Sequence, residues 1–172
     1  MRDLMNLKDF FKPINDKKVD VAIALKKYIE AIKNFYRITG IKYSDMPKSK
    51  GQQLGFDDLM INIEDLHEQY LELRNEYKIL YNFYLSCIKK VNNKSCQLII
   101  EYAFLNNESD KQLSETLKEY HKIEYSDTYI RKIKLKASNE MLKVIDEKML
   151  EELNRVTKGN KLEQKGTKRN KR

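Results

Sequence analysis

Residues 59–91 read LMINIEDLHEQYLELRNEYKILYNFYLSCIKKV, and the spacing of their apolar side chains decides the fold class. Leu59, Ile63, Leu66, Tyr70, Leu73, Tyr77, Leu80, Tyr84, Cys87 and Val91 recur in alternating steps of four and three. A 3.5-residue period sustained in this way is the pattern of a long helix carrying one apolar seam, as in a coiled coil. Glu64, Glu68, Glu72, Arg74, Glu76 and Lys78 fill the remaining faces, as a solvated helix requires. At 1.5 Å per residue such a helix measures ~50 Å.

Upstream, residues 40–56, GIKYSDMPKSKGQQLGF, hold three Gly and one Pro and read as a loop. Before the loop, Val21, Leu25, Tyr28, Ile32, Phe35 and Thr39 form a second stripe of the same kind, which predicts a helix from Asp16 to near Gly40. The simplest partner for the long helix is this one, folded back antiparallel. The seam of the long helix outruns it, so part of that seam must pack elsewhere. Residues 1–15, interrupted by Pro13, are expected to be a tail or a short helix.

Downstream, Asn92, Asn93, Lys94 and Ser95 break the pattern, and Ser95 is placed to cap a short helix, CQLIIEYAFLN. Ser109 followed by Gln112 forms a capping-box signature for DKQLSETLKEYH, with Leu113 and Leu117 inward. Ser126 can cap a third helix. Its stripe of Ile130, Ile133, Ala137, Met141, Ile145, Met149 and Leu153 predicts one continuous helix ending near Gly159. The expected fold is therefore all-α: a long antiparallel helical hairpin or coiled coil over residues 16–91, then a helix-turn-helix domain over 92–156 with an extended last helix. Residues 157–172 read as a basic, disordered tail.

Composition agrees with long helices, since only 5 Gly and 2 Pro occur among 172 residues while 35% are charged. A mean hydropathy of -0.73 and the absence of any long apolar run predict a cytoplasmic protein with no membrane span or signal peptide. Cys87 and Cys96 have no CxxC spacing and are expected as reduced thiols. The formal charge is +8, but residues 157–172 carry seven Lys or Arg against Glu163 alone. A folded nucleic-acid surface must therefore be local rather than global.

The local candidate lies after Ser126. Three successive helices, short, short and basic, match a helix-turn-helix, whose last helix enters the major groove. With Ile130, Ile133, Ala137 and Met141 buried, a 100° wheel puts Thr128, Arg131, Lys132, Leu135 and Asn139 on the opposite face, flanked by Lys136. Arg and Lys donate to guanine edges or phosphates, Asn pairs with adenine, and an outward Leu touches a thymine methyl. Ser126 and the helix N-terminus can hold a phosphate through backbone N–H groups. The expected DNA-binding set is thus Ser126, Thr128, Arg131, Lys132, Leu135, Lys136 and Asn139. The alternative for RKIKLK is a solvated charged face.

The segment YSDTYIRKIKLKA preceded by KQLSETL, together with the upstream KYSDMPKSKG and its heptad helix, resembles the sigma-factor-like transcription regulators of phages and prophages of Gram-positive bacteria. Their helix-turn-helix is similar to region four of bacterial sigma factors. The resemblance spans about residues 38–142 and implies a regulator of phage promoters with Ser126, Thr128, Arg131 and Lys132 facing DNA. Residues 118–125, KEYHKIEY, depart from the short sigma-like turn, so either the first helix is longer or the turn carries an insertion. Residues 43–48 read as a helix-capping turn with Tyr43 packed on the hairpin.

Nothing in the sequence suggests catalysis: there is no clustered acid, base and nucleophile, no phosphate-cradling glycine motif, and no expected metal or cofactor site. His67 and His121, the only histidines, read as edge or surface residues. Double-stranded DNA is the expected partner, with RNA polymerase and a homodimer through the coiled coil as further expectations, and no membrane or small-molecule substrate. Two other functions fit the same features: a DNA-packaging or architectural oligomer, and a helical scaffold without a DNA role.

Overall fold

A computed structural model describes residues 6–39 and 55–166. All regular structure among them is helical: α1 (Leu7–Thr39), α2 (Phe56–Ile88), α3 (Lys94–Ile100), α4 (Asp110–His121), α5 (Asp127–Val144) and α6 (Glu147–Gly166), with a π-helical turn at Glu101–Leu105 continuing α3. The expected loop at 40–56 falls outside the described residues except at its end, where Phe56 already opens α2. No described helix is long and apolar enough to cross a membrane.

The chain divides into two compact units, residues 17–77 and the residues on either side of that segment. In the first, α1 and α2 run antiparallel. Lys17 Nζ pairs with Glu76 Oε2 at 2.7 Å, and the Tyr28 ring stacks on His67 at 4.9 Å and on Tyr70 at 6.5 Å. The seam consists of half-buried side chains: Val21, Ala24, Tyr28, Ala31, Ile32 and Phe35 on α1, and Leu59, Ile63, Leu66, Tyr70, Leu73 and Tyr77 on α2. Leu25, expected in this seam, is exposed. The seam turns through Ala24 and Ala31 instead, because the side chains nearest α2 follow the helix's own period rather than the largest residues. The Thr39 side chain lies outside the described residues.

The second unit has a true core. Residues 1–15 are no tail where they are described: Leu7, Phe10, Phe11 and Ile14 are 0–3% exposed. Their spacing is that of one helical face. Pro13 sits inside α1, where it withdraws a backbone donor and crowds the preceding turn; burial of the flanking aromatics offsets this. Phe10 meets Tyr84 edge-on at 5.2 Å, Phe11 lies against Tyr84 at 4.9 Å and stacks on Phe104 at 6.2 Å. The buried Tyr84 hydroxyl donates to the Phe10 carbonyl at 2.6 Å. Also buried in this unit are Leu80, Phe83, Cys87, Ile88 and Val91 from α2 and its exit, and Cys96, Ile99 and Ile100 from α3. Both cysteines are free and buried, and burial pushes each thiol up.

Three helix boundaries after α2 differ from expectation. Asn93, rather than Ser95, caps α3, its side chain accepting from the Cys96 N–H at 3.1 Å. The predicted single helix after Ser126 is broken: Ile145 is extended at φ -67, ψ 114, and Asp146 Oδ1 accepts the Met149 N–H at 2.8 Å, so that α6 starts afresh. The break keeps the apolar register, since Met141, Met149 and Leu153 are all buried. The stripe alone could not reveal it. α6 passes Gly159 and runs to Gly166, so the backbone of the segment read as a disordered tail is helical that far. Residues 167–172 lie outside the described residues.

Candidate nucleic-acid interface

α4 opens with the predicted capping box. The Ser109 N–H donates to Gln112 Oε1 at 3.0 Å, and the Gln112 N–H to Ser109 Oγ at 3.4 Å. Its inner face buries Leu113 and Leu117. α4 extends to His121, and a five-residue connection, 122–126, leads to α5. Lys122 takes the left-handed conformation, φ 57, ψ 31, a position usually given to glycine or asparagine, and turns the chain sharply. Its N–H and that of Ile123 both reach the Leu117 carbonyl. Ser114 Oγ donates to the Tyr125 carbonyl at 3.3 Å, and Lys118 pairs with Glu124 at 2.6 Å, raising the lysine and lowering the glutamate. His121 is tied back to the π-helical turn, its Nε2 3.2 Å from the Tyr102 hydroxyl.

The connection delivers Ser126 to the start of α5, where its Oγ accepts the Tyr129 N–H at 3.4 Å. α5 then separates two faces. Ile130, Ala137 and Met141 are fully buried and Ile133 is half-buried. Ser126, Thr128, Arg131, Lys132, Leu135, Lys136 and Asn139 are all exposed, Leu135 at 66%. Lys132, Leu135, Lys136 and Asn139 line one shallow surface depression with Glu140, Leu142 and Lys143. Two tyrosines border this face: the Tyr125 and Tyr129 rings lie 4.9 Å apart, and Tyr129 is half exposed. The sequence reading did not single out either tyrosine.

The structure also brings in an acid. Asp110, at the start of α4, holds Lys134 Nζ at 2.6 Å and lies 3.5 Å from Arg131 Nε. The Lys134 hydrogen bond foremost, and the nearby charges with it, hold the Asp110 carboxyl below the usual carboxylate range against the opposing effect of burial. Lys134 therefore belongs to the α4–α5 contact, and Arg131 reaches outward from beside a carboxylate. On α5 itself no acid lies between Ile130 and Ala137. Asp110 is distant in sequence, so no local pattern pointed to it. A second acid, Glu140, pairs with Lys143 at 2.7 Å at the far end of the face, which lowers the glutamate.

Among the described residues no group of His, Cys, Asp and Glu is placed to hold a metal ion. Chemically the α5 face offers cationic donors, an amide, hydroxyls and one outward leucine on a rigid helix. No family model matches the chain, and neither a curated protein nor a solved structure does.

Proposed function

We propose that the chain is a sequence-specific DNA-binding transcription regulator, with α4, the 122–126 connection and α5 acting as a sigma-like helix-turn-helix and α5 lying in the major groove. The observation that supports this reading is the division of α5: a buried apolar side against α3 and α4, and an exposed side carrying Thr128, Arg131, Lys132, Leu135, Lys136 and Asn139. Spacings of three and four keep these side chains on one stripe, which suits the edge of successive base pairs. Ser126 and the first N–H groups of α5 position a phosphate, while Arg131 and Lys132 read bases or phosphates. The α1–α2 hairpin acts in this reading as a coiled coil for homodimerisation, or as a contact for RNA polymerase.

The test is selection of the full-length protein against fragments of its own genome at about physiological salt, followed by binding measurements on the sites recovered. Discrete sites whose preference disappears in the Arg131→Ala, Lys132→Ala variant support the reading. Affinity that is uniform across fragments, and that this variant leaves unchanged, rejects it in favour of a scaffold with only non-specific charge attraction.

A further inference from the structure

We infer that one side of the α1–α2 hairpin is the contact surface for a second copy of this chain, with α1 of each copy lying antiparallel against α2 of the other. This rests on the homodimer part of the reading above, and is independent of DNA binding. Among the described residues of 17–77 no side chain is fully buried. Their seam is half-open, and beside it stand Leu25, Ile29 and Tyr36 of α1 and Met60 and Leu71 of α2, exposed by 36–69%.

These five share one side of the hairpin, whereas Val19, Ile23 and Ile61, also exposed, lie on the sides turned away from the seam. At 100° per residue, Ala22, Leu25, Ile29 and Tyr36 form a stripe about a quarter-turn past the α1 seam in the direction of winding. Met60, His67 and Leu71 form a stripe the same quarter-turn past the α2 seam. In an antiparallel pair these two quarter-turns point to the same side of the hairpin, so the apolar side chains make one broad face. Two such faces closed on each other give a four-helix arrangement, the usual way for helices with a second apolar stripe to bury it.

Charge selects both the occupant and the orientation. Residues 17–37 carry six Lys or Arg against Asp20 and Glu30, and residues 57–76 carry seven acids against Arg74. A two-fold axis across the helices would set α1 against α1, like charge on like. A two-fold axis along the helices sets basic α1 against acidic α2 of the partner. The register agrees. Within the hairpin Lys17 stands level with Glu76 and Tyr28 with His67, so Lys26 and Lys33 stand level, within a residue or two, with Glu68 and Glu64. On the wheel, Lys26 and Lys33 flank the α1 stripe on its outer side, as Glu64 and Glu68 flank the α2 stripe. In the dimer Lys26 meets Glu68 of the partner subunit, and Lys33 meets Glu64 of the partner subunit.

The full-length chain is tested by sedimentation at micromolar concentration in the absence of DNA. Wild type is expected at twice the 20.6 kDa chain mass. Lys26→Glu with Lys33→Glu, and separately Glu64→Lys with Glu68→Lys, should each weaken the dimer by about tenfold or more, because four opposite-charge contacts become like-charge ones. An equimolar mixture of the two variants should restore a dimer, since every cross-contact is then again of opposite charge. A misfolded variant could not be rescued in this way. A wild-type monomer, a dimer indifferent to both reversals, or a mixture that stays monomeric each overturns the proposal. The Arg131→Ala, Lys132→Ala variant should remain dimeric, so failure of this inference and failure of the DNA reading are separate results.

Discussion

The two units are built from the same two long helices, yet they pack by different rules. Among the described residues of 17–77 each helix has one helical neighbour, and its apolar stripe stays half-buried. Beyond that segment, the ends of α1 and α2 lie in a unit that also contains α3 to α6, and Phe10, Phe11, Ile14, Tyr84 and Ile100 reach zero exposure. A two-helix layer cannot surround a side chain, whereas a multi-helix cluster can. The same heptad pattern therefore yields a core at one end and an open seam at the other, and the open seam is the part left available for a partner.

The sharpest way to break this contrast is to truncate one phenylalanine in each unit. Phe11→Ala empties a fully buried site in contact with Tyr84 and Phe104 and should cost about 3–5 kcal/mol in denaturant unfolding. Phe35→Ala, at a half-buried position, should cost about 1 kcal/mol, with amide exchange in 17–77 faster than in α3 to α5 in both proteins. Equal losses would mean that the hairpin is as well packed as the core.

A smaller effect is expected from the exposed face of α5. Replacing Arg131 and Lys132 by alanine should weaken a recovered DNA site by roughly 1–3 kcal/mol per base-reading contact. Lys27→Ala on the hairpin should leave site preference unchanged. Electrophoretic titration against the same site distinguishes the two, and a loss of preference with the hairpin variant would move the interface out of α5.

Smaller again is the α5–α6 junction. Asp146→Ala removes the acceptor for the Met149 N–H and should lower stability by about 1 kcal/mol. An unchanged melting curve would mean that packing of Met149 and Leu153 alone restarts the helix.

The smallest effect concerns pH. The Asp110 carboxyl is lowered in the folded protein, so its stabilising contribution is fully present above its unfolded value of about 3.9 and is lost as pH falls through the lower folded value. Wild type should thus exceed Asp110→Asn in stability at neutral pH, and the difference should shrink below about pH 4. A difference that persists into acid would assign the role of Asp110 to the helix start rather than to Lys134 and Arg131.

Much of this protein was legible in its sequence because helical periodicity and capping are local. The seam from Leu59 to Tyr84, the capping box at Ser109 and Gln112, the Ser126 cap and the burial of Ile130, Ala137 and Met141 depend on residues at most a few positions apart. The exposure of Thr128, Arg131, Lys132, Leu135, Lys136 and Asn139 follows from the same wheel. What the tertiary structure alone decided involves distance along the chain or competition between two local signals. Leu7, Phe10, Phe11 and Ile14 had helical spacing, but Pro13 masked it until Tyr84 supplied a reason to bury them. The apolar stripe ran unbroken through Ile145, so only the Asp146 cap revealed two helices. Asp110 beside Arg131 and Lys134 arises from α4 packing on α5. Local order is written in neighbouring residues, whereas the partner of a charge or of an apolar face is chosen by where the whole chain brings its surfaces together.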